Sequence, residues 1–333
     1  MRSLLLPLLG AVMLTAVGCQ RDALVERAPV AEDGEVSALA EVPTARTEVA
    51  GAVLGARIVI VGGLLADGSA SAQVDVYEPE TDSWSAGPAL PKPAHHVGMT
   101  SAGGRVWVAG GYTTAAGGGA GAAWQELRDV WSLGDGESSW RTEPSLTVAR
   151  GALGLAAAGD ALVAFGGVSG GSVTGSSEVL YGNDPTKWVA GPPLNEPREH
   201  LAATTISSRV FAIAGRVGTL ESNKRSVESW DVRSGSWRRE PSLGASRGGT
   251  AASDACVAGG EEPGGTIASV ECLRDGKWIT VASLRRPRHG LAVVAFGTDL
   301  HVIGGGEQPG LFVSGAHEVV HLTASHGDGD GDG

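Results

Sequence analysis

Short apolar runs of five or so residues recur along the chain, and most of them stop at a pair of glycines. Arg57-Ile-Val-Ile-Val61 and Arg105-Val-Trp-Val-Ala109 are two such runs, β-branched or aromatic and of the buried-strand type. The glycine pairs stand at 62–63, 110–111, 166–167, 259–260 and 304–305, with Gly215-Arg216 taking the place of one more. Their first members are 48, 56, 49, 44 and 45 residues apart. After five of them a tryptophan opens a new segment: Trp84, Trp140, Trp188, Trp237 and Trp278. Ten residues beyond each Trp stand Ala94, Arg150, Arg198, Arg247 and Arg288; the same offset back from Arg46 gives Val36, the mark of a sixth copy without its Trp. The register holds over almost the whole chain, so the sequence is one supersecondary unit repeated six times.

Each unit reads as four strands. In the first they are Glu48–Val53, Arg57–Val61, Gln73–Tyr77 and Trp84–Ala89, with the turn Glu78-Pro-Glu-Thr-Asp-Ser83 before the last. Four strands at a period near 48 residues predict the blade of a β-propeller. The sixth unit ends at His317-Glu-Val-Val-His-Leu322 with no Trp strand to follow. Val36–Thr44 is therefore expected to supply that strand and close the ring, which leaves no open sheet edge.

The pattern resembles the kelch family. The residues that carry the resemblance are Val59-Ile-Val-Gly-Gly63, Val74-Asp-Val-Tyr-Glu-Pro-Glu-Thr-Asp-Ser-Trp84 and Gly191-Pro-Pro-Leu-Asn-Glu-Pro-Arg198. It covers residues 36–323 and implies an all-β, six-bladed kelch-type propeller. Gly215-Arg216, Ala94 and the absent last Trp depart from the family pattern.

The chain's first residues read as a sorting signal. Met1-Arg2 is followed by an apolar run, and the segment ends at Ala16-Val17-Gly18-Cys19. That ending resembles the lipobox of bacterial lipoproteins and implies a signal peptide over 1–18 and a lipid-bearing Cys19. Simple secretion or an uncleaved anchor are the alternatives. The rest divides into a tether at 19–35, the propeller at 36–323 and an acidic Gly-Asp tail at 324–333. Gln20 is not Asp, so the resemblance implies the outer membrane.

Composition narrows the partners. A net charge of −12 argues against a sequence-independent grip on nucleic acid, which needs clustered cations. In an oxidising compartment Cys256 and Cys272 are expected to pair. If Ala258 faces Val270 across the hairpin, Cys256 faces Cys272. Two reduced buried thiols are the alternative.

Two charged sets follow the repeat. Acids recur in the third strand as Asp75, Asp129, Glu178, Glu228, Glu271 and Glu318; the cations are Arg46, Arg150, Arg198, Arg247 and Arg288. They read as internal pairs, with an alternative in which the arginines ring the channel mouth and bind an anionic ligand. In some kelch adaptors, arginine at the matching position lines a peptide pocket.

Breaks in the symmetry are the better place for function. The loop Tyr112–Arg128 is the longest, with Gly117-Gly-Gly-Ala-Gly121 at its centre. An exposed Tyr112 and Trp124 there would stack on a sugar or dock a partner. Arg216, Glu261, Glu262 and Glu307 begin the equivalent loops of other units and are expected on the same face. His95, His96, His200 and His289 stand one or two residues after the arginine position and read as ordinary polar residues or as a ligand or proton-transfer cluster.

No phosphate loop is present, and neither a cofactor nor a metal is expected. Some kelch-fold proteins are enzymes, among them a copper oxidase and a sialic acid epimerase. The copper chemistry does not fit three tyrosines and paired cysteines. The expectation is a monomeric binding module for an envelope protein or glycan, and the alternative is an epimerase-like carbohydrate enzyme. A pocket with convergent Arg, His and Glu would favour the enzyme; a flat face with Tyr112 and Trp124 would favour the binder.

Overall fold

The computed structural model describes residues 34–114 and 123–322. Cys19, the signal segment, the glycine-rich loop centre and the Gly-Asp tail lie outside the described residues. Six four-stranded antiparallel sheets follow one another round a ring. Blade 1 is Ala50–Leu54, Arg57–Val61, Val74–Glu78 and Ser83–Ala86. In blade 6, Ala292–Phe296, Asp299–Ile303 and His317–His321 are joined by the chain's first strand, Glu35–Ala38. That strand pairs Glu35 with His321 and Ala38 with Glu318, so the ring closes as the repeat predicts. It is shorter than the span expected for it. From Leu39 to Thr44 the backbone keeps single bonds to the blade, from Leu39 N to His317 O and from Val42 N to Gly315 O.

The apolar core lies between neighbouring blades. Val59, Val61, Val74 and Val76 of blade 1 pack on Val106, Val108, Trp131 and Trp140 of blade 2, and the other five interfaces repeat the scheme with changed residues. The repeated Trp fills the wedge and also ties it: the indole N–H groups of Trp140, Trp188 and Trp237 donate to the carbonyls of Pro88, Pro144 and Pro192 at 2.8–2.9 Å.

A second tie explains the glycine pairs. The second glycine of each pair, Gly63, Gly111, Gly167, Gly260 or Gly305, donates its N–H to the carbonyl at the next blade's arginine position, at 2.8–2.9 Å. In blade 4 Gly215 does so, which makes the pair there Ala214-Gly215, with Ala214 at φ +57°, and not Gly215-Arg216 as the sequence suggested. At Gly62 a Cβ would stand 2.3 Å from the Ala94 carbonyl, and φ there is +62°, so only glycine fits the approach.

The arginines are internal. Arg150, Arg198, Arg247 and Arg288 are each 0% exposed and pair with Glu178, Glu228, Glu271 and Glu318 of the same blade; Arg46 pairs with Asp75. Further guanidinium N–H groups satisfy carbonyls freed where the second and third strands part, such as Ala214 and Ser226 for Arg198, at 3.1 and 2.8 Å, while Nε of Arg46, Arg150 and Arg247 has no partner among the described residues. Blade 2 has Ala94 in this place, and its acid, Asp129, turns outward to Lys92 at 2.9 Å.

The cysteines form a disulfide in register Cys256↔Cys272, with Ala258↔Val270 beside it. It sits in the blade whose first two strands have only three residues each.

Candidate functional site

The residue two beyond each arginine position stands just before the innermost strand of its blade, and all six adopt a left-handed backbone. They are Glu48, His96, Ala152, His200, Gly249 and Gly290, with φ between 50° and 61°. Each N–H points to the same residue of the blade before: His96 to Glu48, Ala152 to His96, His200 to Ala152, Gly249 to His200 and Gly290 to Gly249, at 2.8–3.1 Å. Val49 N to Gly290 O, at 3.2 Å, completes a collar round the channel. This is why four side-chain-bearing residues tolerate an unfavourable φ: the collar fixes all six together. Such positions concentrate at functional sites.

Three collar side chains converge. Glu48, His96 and His200 each offer a ligand-capable atom, and these lie within 4.8 Å of one another. His96 Nε2 is 3.3 Å from Glu48, and its Nδ1 is 2.6 Å from His95 Nδ1. His200 Nδ1 contacts the Glu199 carboxylate. Arg216 then bridges Glu199, at 3.1 Å, and Glu261. His289 Nδ1 lies 3.4 Å from Glu48 and 3.7 Å from Glu261.

Burial drives His96 and His200 well below the usual 6.5, so both are neutral imidazoles at neutral pH. Burial likewise lowers His95, to about 4. His289 goes the other way: burial lowers it, but Glu48 and Glu261 outweigh that and raise it. Burial also opposes ionisation of Glu48, yet its contacts with His96 and His289 and the charge of Arg216 hold its carboxyl at about 2.

Above the collar is a cavity of about 270 Å³ lined by Glu48, His96, His200, Arg216, Glu261 and His289 on its polar side. Leu64, Leu311 and Trp124 line its apolar side. Trp124 sits on the hairpin that pairs Tyr112–Thr114 with Trp124–Glu126 and is 48% exposed. Its ring lies 4.6 Å from His95 and 5.2 Å from His96, centroid to centroid. Glu126 anchors the hairpin by accepting from the Gly170 and Gly171 N–H groups at 2.8 and 3.1 Å. Below the collar a separate cavity of about 110 Å³, lined by the first residues of all six inner strands, shares Glu48, His96 and His200. A larger cavity of about 390 Å³ opens between blades 2 and 3 near Trp107 and Leu162. Its cation, Arg105, is engaged by Glu137, and it gathers no comparable chemistry.

Of the residues marked by the sequence, the structure brings His96, His200, Arg216, Glu261 and Trp124 together. Arg150, Arg198, Arg247 and Arg288 are held inside their blades instead, and Glu307 pairs with Arg286 away from the cavity. Tyr112 is not exposed as expected: it is 8% exposed, because its ring packs over Gly151 and between His95 and Trp124. Glu48 and Glu199 were not singled out from the sequence. Glu48 was within reach, since it stands two residues after Arg46 as His200 does after Arg198.

Comparison with known proteins agrees with this architecture. Residues 45–91 and 197–244 match the Kelch motif. The solved structure of YjhT is similar over 87% of this chain and 98% of that one, with a TM-score of 0.72 at 15% identity, a likeness of fold. The chain is a six-bladed kelch-type β-propeller. Among kelch-repeat proteins it is similar to human Kelch repeat and BTB domain-containing protein 13, at 31% identity over 54% of this chain and 40% of that one. It is also similar to human Kelch-like protein 34, at 34% over 48% and 28%, and to beta-scruin of Limulus polyphemus, at 26% over 74% and 27%. The aligned stretches thus span well under half of these curated relatives.

Proposed function

We propose that this propeller is a binding module of the bacterial cell envelope that takes a small glycan into the channel mouth. The observation that carries the reading is the cavity itself. An exposed indole stands over a floor of imidazole, carboxylate and guanidinium groups, which suits a ligand with an apolar face and a hydroxyl-bearing edge. A flat aromatic surface for a protein partner is not what Tyr112 and Trp124 form. The kelch-repeat relatives support an interaction role in the broader sense. The lipobox-like Cys19 supports attachment to the envelope.

The test is a glycan array followed by calorimetry on the best ligand. Trp124→Ala removes the stacking face and is expected to weaken capture about 30-fold, the equivalent of about 2 kcal/mol. Equal capture by the variant would remove the mouth as the binding site. Cys19→Ala is expected to move the protein from the membrane to the soluble fraction, and retention there would refute the lipid anchor.

A second reading is favoured by one observation, the contacts of ionised Glu48 with neutral His96 and with His289. A carboxylate and imidazoles beside a ligand cavity are the parts of general acid–base chemistry. On this reading the ligand is a sugar whose configuration or linkage is changed. Turnover of an array-selected ligand, abolished by His289→Gln, is the measurement that separates catalyst from binder.

A further inference from the structure

Sequence spacing hides the most specific constellation in the molecule. Glu48, His96 and His200 are far apart in the chain and come from three blades, yet they occupy one collar position and meet over the channel. Both imidazoles are pre-oriented. His96 Nδ1 is occupied by His95, leaving Nε2 facing Glu48 at 3.3 Å. His200 Nδ1 is occupied by the buried Glu199 carboxylate, leaving its Nε2 free. A carboxylate behind a histidine that presents its other nitrogen is the outer partner typical of a metal-bound imidazole.

Charge points the same way. Glu199 and Glu261 flank Arg216, the lone guanidinium among the residues lining this cavity, which Glu48 also lines. His289, 2% exposed, lies 3.4 Å from Glu48 and 3.7 Å from Glu261, so three carboxylates share one guanidinium and one imidazole. The pocket is therefore short of positive charge.

We propose that Glu48, His96 and His200 bind one divalent transition-metal ion of the zinc type, through one carboxylate oxygen and two imidazole nitrogens. Two histidines and a carboxylate form a known ligand set for Zn²⁺ and similar ions. Bond lengths of about 2.0–2.2 Å put neighbouring tetrahedral ligands about 3.3 Å apart. The Glu48–His96 edge already has that length; the edges to His200 lie within 4.8 Å, and the ion would draw His200 inward. The open coordination position faces the cavity beside Trp124, where a ligand hydroxyl or carboxylate would complete the shell. The site rests on the channel mouth being functional, but not on its ligand being a sugar.

The full chain, purified in detergent and stripped with a chelator, is titrated with ZnCl₂ by calorimetry and with CoCl₂ by visible absorption. One ion per chain at micromolar affinity or tighter is expected, with a Co²⁺ band and a zinc-dependent rise in wild-type melting temperature. His96→Ala and His200→Ala are each expected to weaken zinc at least 100-fold, and Glu199→Gln 10- to 100-fold. Should the alanine variants fail to fold, the wild-type Co²⁺ band and zinc-dependent melting decide. No stoichiometric binding by wild type overturns the proposal, and so does binding that survives both histidine substitutions, which would place the metal on the Gly-Asp tail or at His321. Trp124→Ala is expected to keep the metal while losing the glycan, so failure of the metal site and failure of the glycan reading give different results.

Discussion

Arg198→Ala isolates what the repeated arginine does. The guanidinium is fully buried and donates to Glu228 at 2.8 Å, to the Ser226 and Ala214 carbonyls at 2.8 and 3.1 Å, and to Glu196 O at 3.1 Å. Glu228 keeps its contacts with Asn195 N and Nδ2, at 2.8 and 2.7 Å, but loses its only buried cation. A carboxylate left buried without its partner costs about 3–5 kcal/mol. Equilibrium urea unfolding followed by tryptophan fluorescence is the assay, with the slope compared between variants. Arg198→Lys is expected to fall between wild type and alanine, since it keeps the charge but not the fork that reaches two carbonyls. The double change Arg198→Met with Glu228→Leu is expected to recover most of the loss, because no orphan charge remains. A loss below about 1 kcal/mol for Arg198→Ala at an unchanged slope would refute the account, and the arginines would then be free to be read as ligand-binding groups.

Two further outcomes follow from buried groups. His301 and His317 stand 2.9 Å apart at the closing seam, against Tyr77, and burial lowers them to about 4 and about 3. The unfolded chain therefore takes up protons first, so stability is full above about pH 6.5 and falls as pH drops towards 4. Melting temperature should decline already between pH 6.5 and 5, less steeply in His301→Leu, and a flat profile would count against neutral buried imidazoles. Ala152→Gly should raise the unfolding free energy by up to about 1 kcal/mol, read as a higher urea midpoint at an unchanged slope, since relief of an αL alanine outweighs the added chain entropy; an unchanged midpoint would mean the collar is unstrained.

The repeat made the architecture readable because each recurring residue has a local task. Glycine pairs mark a backbone approach, the tryptophans fill a wedge, and the arginines cap carbonyls within their own blade. The disulfide followed from two cysteines expected to meet an oxidising compartment and from the hairpin register that sets them opposite each other. The mouth was legible in part: His96, His200, Arg216 and Glu261 stood out as irregular positions. What was hidden is convergence. Glu48 shares the register position of the two histidines, but only the circular arrangement of the blades carries His200, two blades beyond His96, back to it. The exposure of Tyr112 was misjudged because the glycine that receives its ring, Gly151, lies in the next blade.

Pairing of Glu35 with His321, and of His321 with Asp299 at the hairpin end of blade 6, sets where the propeller meets the rest of its chain. Both exits lie side by side at one corner, on the face away from the Gly304–Ala316 loop and hence from the channel mouth. A leash on the N-terminal side would thus hold the disc by its back and turn the open bowl of Trp124 towards whatever drifts past.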